Sequence, residues 1–573
     1  MAKKSRRGTS VTQPIATQPV APSNALIPWL ERNGAKHALM VIAAATLAML
    51  IPFIGKAFHI DDPLFIWSAQ HIVKSPADFY GFDVNWYGSS ARMYDVMQNP
   101  PLTSYYLAVA GTLLGWGEIA LHFAFLIPAL AAVVGVWQVA RRVVDSPVLA
   151  ALLTLVCPVF LVSATNVMSD VPMFACYVWA IAFWMRGLDE KRDSLLWLAA
   201  ALTAASGLFK YFGLSLIPLL LVYGLVKRRS VGTWIVPLLL PIAVFAGYDA
   251  ITASMYGKGH LTGAMTYAGS EKTPHPGSNA ATTLLLTLAF TGGCAVSSLL
   301  FAPLLTARRW WIALVTLVIA AAAVFVTGAA GVYGLTGASG TQTFYLVQFV
   351  LFAAAGIGVF ILTTSEVWRR RDAESILMLL WIGGTFIFAD YFNWTVAARS
   401  LLPLSAPVAI LIVSRLEIVR PRRIALSIPL AIAAVVTLLV SAADYRFAGA
   451  SREAAREIGL RYSGDGHRIW FEGHWGFQYY MQLFNGSPAD LKQTVHRKDL
   501  WIVPSNNTKP FDNKPPNFEL ETVRIASGLP VSTMQGDSSA GFYSDFKGPL
   551  PYSFGRVPPE EFRVLRLGRR ETP

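Results

Sequence analysis

The chain has 573 residues, of which 54% are hydrophobic and only 14% are charged, and its formal net charge is +13. Soluble domains carry about 25% charged residues, so a chain this apolar could not cover a soluble surface, and the composition indicates a membrane protein. The arginines stand in short clusters between apolar runs, a pattern that orients a protein in a bilayer and argues against nucleic-acid binding.

Residues 1–36 are predicted to form a disordered, basic cytosolic tail. The first 25 residues are rich in Ser, Thr, Gln and Pro and begin with a cluster of Lys and Arg. The first apolar run starts near His37, and no small-residue cleavage site follows it. We therefore expect a retained signal anchor rather than a cleaved signal peptide.

Residues 37–444 are predicted to form a membrane domain of about 13 transmembrane helices, because a span needs roughly 20 apolar residues. The predicted spans are 37–55, 118–140, 147–165, 171–187, 194–209, 211–226, 231–250, 282–304, 310–328, 343–363, 374–390, 399–414 and 424–441. With a cytosolic N-terminus, the predicted cytosolic loops hold 17 Lys and Arg and the outer loops before residue 445 hold 7. This asymmetry predicts a multi-pass protein of the plasma (inner) membrane with residues 445–573 outside the cytoplasm.

The first outer loop, 56–117, is predicted to carry interfacial helices. Residues 102–116 could form another span, but every later basic loop would then face outward, so we interpret them as a helix at the outer interface. Residues 62–74 have a similar pattern, with Asp62 as a helix cap and Pro63 at the first helical position.

Several polar residues from distant parts of the chain share the predicted outer face. Charged groups near membrane depth are costly and tend to be functional. The candidate residues are His59, Asp61, Asp62, Asn99, Asp170, Lys210, Tyr391, Asn393 and Arg399.

Four of these residues also have a simpler explanation. Asp62 and Asp170 could cap helices. Lys210 could extend to a lipid headgroup, and Arg399 could do the same or bind a structural lipid. The functional interpretation depends on their joint placement on one face.

Residue types that commonly bind metals give no clear site. Cys157, Cys176 and Cys294 lie in apolar runs without metal-ligand spacing, and nothing in the pattern predicts a disulfide. His260 and His275 fall in a long outer loop, and we interpret them as solvated residues rather than ligands.

The candidate residues suit a displacement at the anomeric carbon of a sugar. A carboxylate can take the proton of an acceptor hydroxyl, and cations can neutralise a departing phosphate. The sequence has no GxxxxGK[ST] nucleotide loop, and the outer face has little free nucleotide. A lipid-linked donor, delivered by the bilayer, fits better.

The motifs HIDDPLFIWSAQHI and NPPLTSYYLAVAGTLLG resemble the first outer loop of the protein O-mannosyltransferase and aminoarabinose (lipid A) transferase group, a glycosyltransferase family 39-like part of the GT-C superfamily of membrane glycosyltransferases. MSDVPMF, GLFKYFGLSLIP and ARSLLPLSAPVAIL resemble later stretches of the same group, so the resemblance covers roughly residues 37–415. The aminoarabinose transferases also have thirteen spans.

The resemblance implies a role for each matching residue. Asp61 matches the family's catalytic base, and Asp62 matches a second acidic residue that caps the helix or shapes the acceptor site. Asp170 matches an acidic residue near the acceptor. Lys210 and Arg399 match cations near the donor phosphate. The family uses a polyprenyl-phosphate sugar and inverts the anomeric centre.

Two departures bear on the subfamily. Asn99 stands where relatives have Lys or His before Pro-Pro-Leu, and a neutral amide cannot neutralise phosphate, which places more weight on Lys210 and Arg399. Asp62 replaces a Glu. His59, Asn99 and Tyr391 are predicted to support the site. No metal is required by these residues, although some relatives bind a divalent cation, so a divalent cation stays open.

Residues 445–573 have a soluble composition and are predicted to form a small α/β domain. SREAAREIGLRY predicts a helix, and HRIWFEG, DLWIVP and EFRVLRLG predict strands. His474, Trp475, Gln478 and Tyr479 could contact an acceptor sugar, but we favour a role in the core and in docking against the membrane domain.

The predicted function is transfer of sugar from a polyprenyl-phosphate donor to a lipid, polysaccharide or protein acceptor, with membrane lipids as further partners and no nucleic acid. The alternative is a membrane transporter or lipid-linked-sugar flippase. Many transporters have internal repeats and a polar site at the bilayer midplane, neither of which is clear here. A third possibility, a binding or assembly protein built on the C-terminal domain, leaves the membrane charges unexplained.

Overall fold

The computed structural model describes residues 26–27, 31, 34–270, 272, 275–306, 310–336, 340–462, 464, 466–490, 492–508 and 514–568. Most of the predicted cytosolic tail, 1–36, lies outside the described residues. The protein is a polytopic helical membrane protein with a small C-terminal domain that contains a sheet.

Within the described ranges, nine helices are long and apolar enough to cross a membrane. They are Gly34–Phe53, Glu118–Ala140, Asp170–Glu190, Tyr211–Arg228, Thr233–Tyr256, Gly340–Arg370, Ala373–Phe392, Ala398–Val419 and Arg423–Tyr462. Two bent pairs raise the number to 11 if each pair is one span: Pro147–Leu155 with Pro158–Ala164, bent by 64°, and Ala280–Cys294 with Val296–Leu305, bent by 78°.

The predicted number of thirteen spans is not confirmed. The runs 194–209 and 310–328 correspond to the helices Asp193–Phe209 and Trp310–Val326, each of 17 residues. At 1.5 Å per residue, such helices are about 25 Å long, shorter than a hydrocarbon core of about 30 Å.

The first outer loop contains three helices and a short hairpin. The helices are Asp62–Lys74, Met93–Val96 and Leu102–Leu114, and the hairpin pairs β1 (Asp83–Asn85) with β2 (Ser90–Arg92). Leu102–Leu114 has only 13 residues, too few to cross a bilayer, and it packs against Asp62–Lys74. This length agrees with the interpretation of residues 102–116 as a non-spanning helix.

Shorter elements complete the helical part. The remaining α-helices are His260–Ser270, Ala329–Val332 and Trp475–Leu483. Tight 3₁₀ turns occupy Ile51–Phe53, Tyr211–Ser215, Thr233–Leu238, Ala398–Leu404 and Gly536–Ser538, and a π turn occupies Phe388–Phe392.

The C-terminal domain is built on a five-stranded sheet of order β4-β3-β5-β11-β6. Its strands are β3 (Ile469–Phe471), β4 (Ser487–Pro488), β5 (Leu500–Pro504), β6 (Asn517–Ile525) and β11 (Glu560–Leu567). β3 is parallel to β4 and β5, whereas β11 is antiparallel to β5 and β6. Two small pairs join β7 (Val531–Ser532) to β10 (Ser553–Phe554), and β8 (Met534–Gln535) to β9 (Ala540–Gly541). The three predicted strands are confirmed.

No break in the chain separates the two predicted domains. The last helix, Arg423–Tyr462, has 40 residues and runs through the predicted boundary between 444 and 445. The hydrophobic core is also continuous, because Val440 of this helix and Phe562 of β11 belong to one buried cluster. The C-terminal domain is therefore continuous with the last helix in both chain and core.

The segment around 474–479 docks the C-terminal domain on the first outer loop. The Gln478 side chain donates a hydrogen bond to the Asn85 carbonyl at 2.8 Å. The His474 ring stacks on Trp86 at a centroid distance of 4.4 Å, and Tyr479 meets Phe58 edge to face at 5.2 Å. The structure agrees with the favoured interpretation of this segment as a docking surface.

The ends of the helices opposite Asp170 surround a polar cavity of about 610 Å³. There Arg142 pairs with Asp189 at 2.5 Å, and Lys227 pairs with Glu374 at 2.6 Å. Asp170 and Asp189 lie at the two ends of one helix, so this cavity and the predicted outer site occupy opposite ends of the bundle.

Candidate active site

Asp61 and Arg399 form an ion pair between the first outer loop and the last spans. Asp61 immediately precedes the helix Asp62–Lys74, and Arg399 lies in the 3₁₀ turn Ala398–Leu404. Arg399 Nη1 donates to Asp61 Oδ2 at 2.9 Å and lies 3.4 Å from the sulfur of Met168. Three segments far apart in the sequence therefore meet at this guanidinium.

Asp170 and Lys210 form a second ion pair. Asp170 starts the helix Asp170–Glu190, and Lys210 stands in extended conformation between two helical elements. Lys210 Nζ donates to Asp170 Oδ1 at 2.5 Å. Lys210 therefore reaches a carboxylate instead of extending to a headgroup, and the Asp170 carboxylate binds an ammonium instead of capping its helix.

The two pairs make up one electrostatic unit. Asp170 lies close enough to Arg399 to interact with its charge, as Asp61 does. Two carboxylates and two cations are thus collected at one end of the helices, with their formal charges balanced.

The carboxylates of Asp61 and Asp170 differ in their solvent exposure. The Asp61 side chain is 23% exposed and Arg399 is 20% exposed. Lys210 is 18% exposed, whereas Asp170 is only 4% exposed. An incoming hydroxyl could reach Asp61 more readily than Asp170.

Asp62 connects two loops and does not cap its helix, so the capping prediction was wrong. Its Oδ2 accepts from the His59 N–H at 2.8 Å, and its Oδ1 accepts from the Val167 N–H at 3.0 Å. Both donors lie outside the helix Asp62–Lys74. Asp62 is the first residue of that helix, and its side chain is buried in the core. Burial raises the pKa of Asp62 to about 7, although Lys56 and the two N–H groups favour the carboxylate.

A buried polar cluster, which we call the Lys56 cluster, lies behind Asp61. Its members are Lys56, His59, Thr165, Asn166, Asp444, Thr533 and Tyr543. Lys56 Nζ donates to Asp444 Oδ2 at 2.5 Å and to Asn166 Oδ1 at 2.6 Å. The Tyr543 hydroxyl donates to Asp444 Oδ2 at 2.8 Å, and Thr533 donates to Asp444 Oδ1 at 2.9 Å. The cluster joins the first outer loop, the last helix and the C-terminal domain.

His59 belongs to this cluster and not to the exposed site surface. It is 3% exposed, and its ring meets Phe447 and Tyr543 edge to face. Its Nε2 lies 3.6 Å from Asp444 Oδ1. Burial lowers the pKa of His59, despite the opposing effect of Asp444, so the ring is neutral at physiological pH.

Asp444 and Tyr543 are not among the site residues predicted from the sequence. Asp444 had a usable signal, because it is a carboxylate at the end of the last apolar run. Tyr543 lies in a stretch without periodicity, and its contact with Asp444 spans 99 residues of sequence.

Two predicted supporting residues lie apart from the ion pairs. The Asn99 carbonyl accepts from the Tyr80 hydroxyl at 2.8 Å. Tyr391 is 68% exposed, and its carbonyl accepts from Lys272 Nζ at 2.5 Å. In the part of the chain that the structure describes, neither Asn99 nor Tyr391 has a hydrogen bond or ion pair with the four charged residues.

His260 is buried, so its interpretation as a solvated loop residue was wrong. It is 2% exposed, and its Nε2 donates to the Met97 carbonyl at 2.8 Å. The hydroxyls of Tyr211 and Tyr248 lie 2.7 and 2.8 Å from its Nδ1. Burial lowers the pKa of His260 to about 4. His260 therefore anchors the helix His260–Ser270 to the bundle next to Lys210.

Across the described ranges, no group of three or more His, Cys, Asp or Glu side chains is arranged to hold a metal ion. The described side chains thus do not provide a ready-made metal site. A divalent cation at the site stays a prediction from the resemblance.

Comparison with known proteins bears directly on this arrangement. Residues 98–248 match the dolichyl-phosphate-mannose-protein mannosyltransferase family. The predicted resemblance to the protein O-mannosyltransferase group is confirmed over these residues. The matching region contains Asn99, Asp170 and Lys210, but neither Asp61 nor Arg399. No curated protein matches the full sequence significantly.

Solved structures with a similar chain path include three transferases. The apo oligosaccharyltransferase of Archaeoglobus fulgidus is 14% identical with a TM-score of 0.48, and the match covers 81% of this chain and 65% of that one. ArnT of Cupriavidus metallidurans bound to undecaprenyl phosphate is 12% identical with a TM-score of 0.44, covering 82% and 94%. The mycobacterial arabinofuranosyltransferase AftD is 13% identical with a TM-score of 0.42, covering 94% and 40%. The chain thus spans just under two thirds of the archaeal enzyme.

Proposed function

We propose that this protein is an inverting glycosyltransferase that moves a sugar from a polyprenyl-phosphate donor to an acceptor hydroxyl at the outer face of the membrane. The observation that carries the proposal is the adjacency of two ion pairs, Asp61–Arg399 and Asp170–Lys210, at one end of the helices. The match of residues 98–248 to a family of lipid-phosphate-sugar transferases supports the same chemistry.

Asp61 is the proposed general base. The acceptor oxygen attacks the anomeric carbon as its proton passes to an Asp61 oxygen. A new carbon–oxygen bond forms on one face of the sugar while the bond to the phosphate oxygen breaks on the other face. The products are the glycosylated acceptor, with inverted configuration, and a polyprenyl phosphate that keeps the bonding electron pair. The greater exposure of Asp61 supports this assignment over Asp170.

Arg399 and Lys210 are the proposed phosphate ligands, and both have donors to spare. A guanidinium has five N–H donors, of which Arg399 uses those of Nη1 for Asp61 and Met168. An ammonium has three donors, and Lys210 uses one for Asp170. As negative charge grows on the leaving phosphate, the cations shift toward it. Asp61 then loses part of its counter-charge and becomes a better base.

Asp170 is the proposed orienting residue for Lys210. Its side chain is almost fully buried, and its oxygen fixes the ammonium at 2.5 Å. An ammonium fixed before the donor binds has less conformational freedom to lose in the transition state. The resemblance assigns a place near the acceptor to this carboxylate, which agrees with its neighbouring position.

The test is turnover by the purified protein in lipid nanodiscs with a labelled polyprenyl-phosphate sugar. Asp61→Asn should bind undecaprenyl phosphate as the wild type does, but should lose transfer by at least 100-fold, the usual range for general-base catalysis. Asp83→Asn is the matched control, since Asp83 is an exposed carboxylate of the same loop. Full turnover by Asp61→Asn would remove Asp61 from the mechanism. Movement of the donor between leaflets without sugar release would instead favour the flippase alternative.

A further inference from the structure

A segment of the C-terminal domain runs beside the segment that carries Arg399. The Ala398 N–H donates to the Phe542 carbonyl at 2.7 Å, and the Asp545 N–H donates to the Val396 carbonyl at 3.0 Å. The Val396 N–H also donates to Asp545 Oδ1 at 3.0 Å. These backbone contacts lie on both sides of Tyr543, and they fix its position relative to Arg399.

The Tyr543 side chain faces Arg399 and is held at its far end. The guanidinium carbon of Arg399 lies 6.0 Å from the centre of the Tyr543 ring, within the range of a cation–π contact. The Tyr543 hydroxyl donates to Asp444 and accepts from Asn166 Nδ2 at 2.9 Å. Tyr543 is 3% exposed, so its ring has little freedom to turn.

The group that holds Tyr543 is itself connected to the loop of the proposed base. Asp444 and Lys56 are both fully buried and paired at 2.5 Å, and Lys56 precedes Asp61 by five residues. A buried ion pair with further hydrogen bonds is a rigid connection, because breaking it leaves an uncompensated charge. The Lys56 cluster therefore links the Asp61 loop with the aromatic face beside Arg399.

We propose that Tyr543 is a positioning residue for Arg399, so that docking of the C-terminal domain completes the phosphate-binding cation site. This inference rests on the proposed function, in which Arg399 binds the donor phosphate. Without the aromatic face, Arg399 has more rotamers available, while Asp61 still competes for its guanidinium. Binding of phosphate would then require ordering a mobile arginine while it is paired with the Asp61 carboxylate, and both effects weaken binding.

The test measures binding of undecaprenyl phosphate to the full-length protein in nanodiscs, with undecaprenol as the uncharged probe. Tyr543→Leu removes the aromatic face and should weaken binding of undecaprenyl phosphate about tenfold. A loss of this size corresponds to a partly desolvated cation–π contact. Tyr543→Met also removes the aromatic face but has a more flexible side chain. It serves as a second variant if Tyr543→Leu does not fold, and it should weaken binding by a similar factor. Tyr543→Phe keeps the ring and should stay within about threefold of the wild type. Binding of undecaprenol should not change.

Tyr552→Leu is the matched control. Tyr552 is a fully buried tyrosine of the same domain that also packs on the membrane helices, with its hydroxyl on the Gly293 carbonyl at 3.1 Å and its ring against Phe352. The Tyr552→Leu variant should bind undecaprenyl phosphate as the wild type does. A general loss of docking would weaken undecaprenyl phosphate binding in both Tyr543→Leu and Tyr552→Leu, and that result would overturn the specific role of Tyr543.

The Arg399→Ala background separates this inference from the proposed function. If Tyr543 acts through Arg399, adding Tyr543→Leu to Arg399→Ala should cause no further loss. If Arg399→Ala weakens binding but Tyr543→Leu does not, or if the two losses add, only the Tyr543 inference is wrong. If Arg399→Ala binds undecaprenyl phosphate like the wild type, the phosphate role of Arg399 fails and the Tyr543 inference fails with it.

Discussion

Arg399 Nη1 donates a hydrogen bond to Asp61 Oδ2 at 2.9 Å across 338 residues of sequence. The contact joins a proposed base to a proposed phosphate ligand before any donor is bound. It keeps both side chains partly exposed and oriented, which reduces the reorganisation needed for the reaction. The first prediction concerns this guanidinium, which contacts Asp61 and is the proposed ligand of the donor phosphate.

Arg399→Lys should reduce sugar transfer at least tenfold although it keeps the positive charge. A lysine ammonium is a single point of charge, whereas the planar guanidinium can contact Asp61 and a phosphate with different nitrogens. The measurement is turnover of a labelled polyprenyl-phosphate sugar. Arg92→Lys, at an exposed arginine of the first outer loop, is the control and should be unchanged. Wild-type turnover by Arg399→Lys would show that charge alone is sufficient.

Asp170→Asn should weaken undecaprenyl phosphate binding about fivefold, because Lys210 loses the carboxylate that orients its ammonium. Lys210→Met should weaken binding more, and the double variant should be no weaker than Lys210→Met alone. Asp95→Asn is the control, since Asp95 forms an exposed pair with Lys258 at 2.7 Å. Strictly additive losses would show that Asp170 acts independently of Lys210.

Lys56→Met should destabilise the protein by about 3–5 kcal/mol, because it leaves the fully buried Asp444 without its cation. The expected result is a lower midpoint of thermal unfolding in nanodiscs. Lys56→Met combined with Asp444→Asn should recover part of the loss, since no uncompensated charge remains. Lys74→Met, at an exposed lysine, should change the midpoint little. Equal midpoints for Lys56→Met and Lys74→Met would contradict a structural role for the buried pair.

Acidification should loosen the docking of the C-terminal domain through His474. Its Nδ1 donates to the Trp86 carbonyl at 2.9 Å, and burial lowers its pKa to about 4. The unfolded chain takes up this proton near pH 6.5 and the folded chain only near pH 4, so the unfolded state binds more protons in between. Stability therefore falls as pH drops from about 6.5 to 4, by about 3 kcal/mol for this group at full effect.

The measurement for His474 is the thermal midpoint as a function of pH. His474→Phe keeps the stacking on Trp86 but cannot titrate, so its midpoint should fall less on acidification. His496→Phe replaces an exposed histidine of the same domain and should keep the wild-type pH profile. Identical slopes for His474→Phe and the wild type would show that this histidine does not carry the effect.

Short-range patterns in the sequence predicted the membrane architecture and the charged residues of the candidate site. Long apolar runs predict spans because a bilayer demands them, and ionisable residues at the ends of such runs are rare enough to stand out. Asp61, Asp170, Lys210 and Arg399 were selected on that basis, and the fold brings them together. Local patterns failed for His260, because periodicity does not reveal that a loop histidine is covered by tyrosines from other helices.

The pairing of these residues depends on contacts between distant segments of the chain. Asp62 has the local pattern of a helix cap, whereas one of its two partners, the Val167 N–H, lies 105 residues away. The contact of Lys56 with Asp444 spans 388 residues, and no pattern within one element encodes it. Local sequence patterns are sufficient to predict that the chain crosses a membrane and which charges lie at the helix ends, since solvent and bilayer act on each segment separately. Packing of distant segments determined which carboxylate holds which cation, and it placed Tyr543 beside Arg399.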